Sequence, residues 1–131
     1  MNIKSSKELV DIALKEIKTL DPKDVKELEN KDQCTLIDIR DIRELWRDGT
    51  IKGAMHIPRG MLEFWLDPQS PYYNDTKFSK KKKLILFCAA GMRSALATKT
   101  LKDMGYDNIA HVNGGFGSLA SQGFEVVDKE K

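Results

Sequence analysis

The chain has 131 residues, with 22 Lys plus Arg against 20 Asp plus Glu and a formal net charge of +2. That length holds one ordinary domain rather than two cores, and so balanced a charge excludes the basic footprint of a dedicated nucleic-acid binder. At 40% apolar and 32% charged residues a buried core is expected, while two cysteines, Cys34 and Cys88, are too few for a disulfide scaffold or a four-cysteine zinc site.

Apolar residues in positions 1–20 are interrupted by Lys, Glu and Asp, so a signal peptide is not expected. Nor does any stretch approach the roughly 18 apolar residues of a membrane helix. The expected location is cytoplasmic, with both thiols reduced. The spacing of Leu9, Ile12, Ala13, Ile17 and Leu20 predicts a helix over 6–20, capped by Ser6. Asp21-Pro22 starts a second helix, which carries Val25 and Leu28 and ends near Asn30. Residues 35–40 predict a strand, Asp41 caps a helix that stops at Asp48-Gly49, and 54–57 predict a short strand ended by Pro58.

Met61, Leu62, Phe64, Trp65 and Leu66 suggest one or two helical turns, and 67–75 reads as a loop, either a functional cover or a structural flap. The lysines at 80–83 read as a solvated guard before an apolar strand. That strand, 84–88, is apolar at consecutive positions, as in a parallel strand buried on both faces. A turn at 89–91 leads to a helix over 93–104 stopped by Gly105, then a strand at 109–112. Asn113-Gly114-Gly115 turns into a short helix around 116–120. The alternation predicts an α/β fold with a central, mostly parallel sheet flanked by helices.

Cys88 ends the apolar strand just before a helix begins, which is where α/β sheets bind ligands. In Cys88-Ala89-Ala90-Gly91-Met92-Arg93-Ser94, small residues let the backbone curl around the sulfur. The unpaired N–H groups of the helix N-terminus favour a thiolate there. Arg93 adds a permanent positive charge and a fork of donors for an oxyanion. A buried inert cysteine is the competing reading.

The segment Cys88-x-x-Gly91-x-Arg93, closing a Leu-Ile-Leu-Phe strand, resembles the rhodanese-like sulfurtransferase family. Other motifs follow in order. Asp38-Ile39-Arg40 is similar to the family's Asp-x-Arg strand, with Glu44 on the helix after it. Residues 49–58 are similar to its Gly-His-Ile-Pro-Gly-Ala-x-x-Ile-Pro motif, with Thr50 in place of the usual His and Lys52 in place of the usual Pro. Leu101 to Gly105 and Val112-Asn113-Gly114-Gly115 match its closing segments. The likeness spans about residues 21–127 and implies a domain over 21–131 preceded by an N-terminal helical extension over 1–20. A similar N-terminal helix and aromatic, Pro-rich insertion occur in some bacterial single-domain members.

The resemblance implies sulfur transfer through a Cys88 persulfide. Donors would be small sulfur-containing anions such as thiosulfate, or persulfides. The acceptor would be a thiophile, with a protein thiol as one option, and neither cofactor nor metal, nucleic acid nor membrane is called for. Residues 89–94 (Ala89, Ala90, Gly91, Met92, Arg93 and Ser94) would form the substrate loop. Asp38 and Arg40 would buttress it or merely cap the next helix. Arg59 would lie on the rim and draw in anions, and Trp65 would line the pocket. Phe64, Trp65, Tyr72 and Tyr73 could instead form a docking surface for a persulfide carrier, or Phe64 and Trp65 could fill a satellite core. Cysteine phosphatases place five residues between Cys and Arg, whereas four separate Cys88 from Arg93. Phosphatase and arsenate reductase chemistry are therefore disfavoured. Cys34 reads as a passive thiol, and His56 and His111 as isolated polar residues.

Overall fold

The computed structural model describes residues 2–73 and 81–131. Asn74, Asp75 and Lys80, which belong to the predicted loop and lysine run, lie outside the described residues. The chain runs α1 (Ser6–Glu16), β1 (Thr19–Leu20), α2 (Pro22–Asn30), β2 (Cys34–Asp38), α3 (Ile42–Asp48), β3 (Thr50–Ile51) and β4 (Met55–His56). A 3₁₀ turn (Arg59–Met61) leads into α4 (Leu62–Trp65). After the aromatic loop come β5 (Lys83–Phe87), α5 (Met92–Met104), β6 (Ile109–Val112), α6 (Gly115–Ser121) and β7 (Val126–Val127).

Five strands form one parallel sheet in the order β1-β6-β5-β2-β4. After Lys83 the central strand β5 is apolar at every position because it is covered on both faces. Leu84 and Leu86, with Cys88 just beyond the strand, pack with Ile37, Ile39, Ala97 and Leu101 on the face covered by α4 and α5. Ile85 and Phe87 pack with Val25, Leu36, Val112 and Leu119 on the face covered by α2 and α6. The period-two alternation of side chains along a strand thus feeds two cores from one apolar run.

The predicted order of elements recurs, with several local corrections. The N-cap of α1 is Ser5 rather than Ser6, its hydroxyl accepting from the Glu8 N–H at 3.0 Å. The helix predicted over 6–20 stops at Glu16, and Thr19–Leu20 instead pair in parallel with β6. Pairing with a sheet edge outweighs the weak helical preference of this segment. Val10 and Ala13 dock α1 onto Ala95 of α5. The strand predicted over 35–40 is Cys34–Asp38, and the one over 54–57 shrinks to Met55–His56. The short antiparallel pair β3–β7 was not predicted, since two residues carry no readable period.

Candidate active site

The parallel strands place Cys88 at the carboxyl edge of β5, between β2 and β6. Gly91, at φ +112°, starts α5 in the left-handed region that glycine tolerates best. The loop therefore folds back so that its amides face the sulfur. The Gly91 N–H donates to Cys88 Sγ at 3.1 Å, the Ser94 N–H at 3.4 Å, and the Ala90 N–H points to it as well. Ser94 Oγ lies 3.6 Å from the sulfur. Cys88 is 1% exposed, whereas Ala89, Ala90 and Met92 around it are exposed or nearly so. Burial by itself pushes the thiol up. The Ser94 hydroxyl and the N–H groups of Ser94, Gly91 and Ala90 outweigh it, and the thiol is held below its ordinary range.

The loop is braced from two sides. A Cβ on Gly115 would lie 2.5 Å from the Cys88 carbonyl oxygen and 2.6 Å from that of Ala89, so only glycine lets the β6–α6 turn approach this closely. Next to it, the Phe116 N–H donates to the Cys88 carbonyl at 2.8 Å. The Arg40 guanidinium stacks on the Phe116 ring, 4.2 Å from its centre. Arg40 is buried and forked onto Asp38, at 3.0 Å from Nε and 2.8 Å from Nη2, and also donates to the Gly49 carbonyl at 2.8 Å. Asp38 further accepts from the Thr50 hydroxyl at 2.8 Å. Thr50, one of the two departures from the resembled motif, thus satisfies a buried carboxylate. The cap of α3 is Asp41, in a capping box with Glu44, so Asp38 and Arg40 support the loop through Phe116 and leave the helix start to others.

Arg93 does not stand free. Its guanidinium is forked onto Glu44, with Nη1 at 2.8 Å and Nη2 at 3.0 Å, and the pair holds the Glu44 carboxyl below its usual range. Glu44 is thereby both a helix cap and the anchor that orients Arg93. Arg59 is paired with Glu63 at 2.7 Å and lies 3.5 Å from the Thr100 hydroxyl. Thr100 is about 12 Å along α5 from Met92 at 1.5 Å per residue, so the charge predicted for the rim is committed further down the helix. Trp65 is partly buried against the core under α4 and α5, together with Met61 and Tyr106. Phe64 and Tyr72 are exposed.

His111 is not the isolated polar residue that its sequence setting suggests. It is 2% exposed, its Nδ1 lies 2.9 Å from Ser94 Oγ and its Nε2 3.0 Å from Thr19 Oγ1. Burial drives its pKa down to about 4, so the ring is neutral. The available signal was a single polar residue inside the apolar strand Ile-Ala-His-Val. His56, by contrast, bonds only the Arg40 carbonyl among the contacts resolved for its ring, at 2.7 Å. Among the described residues no three His, Cys, Asp or Glu side chains gather as they would around a metal ion. No helix among the described residues is long and apolar enough to cross a membrane.

The family model of the rhodanese-like domain matches residues 21–122. A protein of unknown function from Rhodopseudomonas palustris, described as a possible tyrosine phosphatase, is 42% identical with a TM-score of 0.88, over 97% of this chain and 97% of its own. The polysulfide-sulfur transferase homodimer of Wolinella succinogenes is 31% identical with a TM-score of 0.72, over 95% of this chain and 88% of its own. The tRNA uridine(34) hydroxylase of Bartonella quintana is 30% identical over 122 residues, which are 88% of this chain and 39% of that protein. This chain therefore spans well under half the length of the curated relatives it matches.

Proposed function

The chain belongs to the rhodanese-like domain family, and from that premise we propose that it is a sulfurtransferase in which Cys88 carries sulfur as a persulfide. The observation that carries this reading is the set of backbone N–H donors converging on a sulfur that α/β topology has placed at a strand end. They favour the thiolate, which is the nucleophile.

In the first half-reaction the Cys88 thiolate attacks the outer sulfur of thiosulfate. A Cys88 S–S bond forms, the donor's S–S bond breaks, and the electron pair leaves with sulfite. With an organic persulfide as donor, the pair leaves with its thiolate. The product anion Cys88–S–S⁻ carries its charge one atom further out. In the second half-reaction cyanide or a thiolate attacks the terminal sulfur, the Cys88 S–S bond breaks, and the thiolate is restored. This is two-step covalent catalysis. Arg93, held by Glu44, presents a positive edge at the mouth of the loop for the sulfonate oxygens of the donor. No separate base is needed because the attacking group is already ionised.

Intact-mass measurement after incubation with thiosulfate or glutathione persulfide tests the reading. The expected result is a gain of one sulfur that cyanide removes and that Cys88→Ser abolishes. Phosphatase chemistry, which the description of the Rhodopseudomonas palustris protein raises, would use the same kind of cradle. Turnover of an aryl phosphate with no sulfur uptake from either donor would overturn the reading. Transfer of the loaded sulfur to a protein thiol, without cyanide turnover, would make the chain a carrier in place of a thiosulfate enzyme. The exposed Phe64 and Tyr72 offer a docking face for such an acceptor.

A further inference from the structure

Behind the sulfur lies a line of polar groups of which the two half-reactions draw only on Ser94. It begins at Thr19, exposed on the edge strand β1 and in register with His111. It passes through the buried ring of His111 to the buried hydroxyl of Ser94, and ends 3.6 Å further on at Cys88 Sγ. Each ring nitrogen of His111 has one hydroxyl oxygen beside it, at 3.0 Å and 2.9 Å. A neutral imidazole carries one N–H, so the two hydroxyls receive opposite instructions.

The Ser94 hydroxyl owns a single proton and has three acceptors in reach: the Gly91 carbonyl at 3.2 Å, His111 Nδ1 at 2.9 Å and the sulfur. If Nδ1 is bare, the proton goes to the ring and the sulfur faces an oxygen lone pair. If Nδ1 carries the ring proton, it donates to Ser94 Oγ and frees the hydroxyl proton for the other two. An ionised sulfur is then the stronger acceptor, since hydrogen bonds to charged groups are roughly twice as strong as neutral ones. In that arrangement Nε2 is bare and accepts from Thr19.

We propose that His111 is held as its Nδ1–H tautomer between Thr19 and Ser94 and thereby turns the Ser94 hydroxyl onto the Cys88 sulfur. Thr19 and His111 are then positioning residues, and the segment ahead of α2 contributes to the site through one side chain. The proposal rests on the reading of Cys88 as the sulfur-bearing nucleophile. The charged groups about the sulfur are Arg93 of α5 with its partner Glu44 of α3, and the Asp38–Arg40 pair that closes β2. From β6 the titratable group is His111 itself; β1 brings the neutral Thr19, and from α6 Phe116 packs on Arg40.

Long-range proton–nitrogen NMR of the wild-type chain, at a pH where Cys88 is ionised, reads the tautomer directly. The expected result is a protonated Nδ1 and a bare Nε2. The pH profile of Cys88 alkylation by iodoacetamide then reads the consequence. Ser94→Ala and His111→Val should raise the apparent thiol pKa by about one pH unit, the worth of one hydrogen bond to a charged group. His111→Asn, whose amide can donate from the Nδ1 position, should stay near wild type. Thr19→Val, an exposed substitution that suits a strand, should leave the fold intact and move the profile upward by a smaller amount. An Nε2–H ring, or a Thr19→Val profile superimposable on wild type, overturns the proposal. Absence of sulfur uptake by the wild type would strike the sulfurtransferase reading alone, because neither the tautomer nor the alkylation profile depends on a sulfur donor.

Discussion

Cys34 opens β2 and Cys88 directly follows the neighbouring parallel strand β5, so the two sit at opposite ends and on opposite faces of the sheet. Both are buried, at 5% and 1% exposure, and each has a side-chain oxygen 3.6 Å from its sulfur. Burial raises both thiols, so depth alone cannot tell them apart. What differs is the sign of the surroundings. Cys34 donates to the Glu29 carboxylate, and burial followed by that negative charge pushes its thiol up to about 12. Cys88 instead meets amide N–H groups and a hydroxyl, which more than offset its burial. An α/β sheet supplies this asymmetry: helix N-termini follow the carboxyl ends of its strands, and their N–H groups gather at one edge.

The largest expected contrast is in reactivity. Near pH 8 a thiol with a pKa of about 12 is ionised in roughly one molecule in 10⁴, so Cys88 should be alkylated at least about 100-fold faster than Cys34. Peptide mapping after brief iodoacetamide treatment measures this, and equal labelling would erase the distinction. Cys34→Ser should leave sulfur loading intact, whereas Cys88→Ser removes it.

Gly115→Ala probes the backing that Cys88 has and Cys34 lacks. The added Cβ meets two loop carbonyl oxygens and sits at φ +64°. A loss of about 3 kcal/mol is expected in urea unfolding, from overpacking and backbone strain together. If the variant matches wild type, the β6–α6 turn does not press on the loop.

Acid should weaken the Cys88 side of the sheet through His111. An unfolded histidine takes a proton near pH 6.5, while the buried ring resists until about pH 4. Between those values the unfolded chain binds more protons. The stabilisation is therefore complete above pH 6.5 and lost as the pH falls towards 4, by about 3 kcal/mol. Urea midpoints across this range should fall in wild type and flatten for this step in His111→Asn.

The smallest expected effect is that of Glu29 on Cys34. Its unfolded thiol ionises near 9.0 and its folded one near 12, so its contribution is complete below pH 9 and lost as the pH rises towards 12. Glu29→Gln removes the charge but not the burial, so the Cys34 thiol should drop by less than burial raised it. Alkylation of Cys34 between pH 9 and 11 should become a few-fold faster. An unchanged rate would assign the whole shift to desolvation.

The order of strands and helices could be read from the chain because consecutive apolar runs, capping residues and glycines act locally. Leu84 to Phe87 needs two covered faces, Gly105 ends a helix, and Cys88-Ala89-Ala90-Gly91 turns tightly, whatever else the chain does. Thr19–Leu20, Thr50–Ile51 and Val126–Val127 are different, being strands only because a partner's edge lies beside them. The same division runs through the site. Local sequence singled out Cys88, its loop and Arg93 as the candidate centre, because the turn and the helix start are made of adjacent residues. Only the tertiary structure decided that Glu44 holds Arg93, that Arg40 reaches the loop through Phe116, and that Thr19, His111 and Ser94 line up behind the sulfur. Those contacts join residues 49, 76, 92 and 17 positions apart. Parallel strands, with crossovers that separate spatial neighbours along the chain, bring such residues together and leave no periodic trace of it in the sequence.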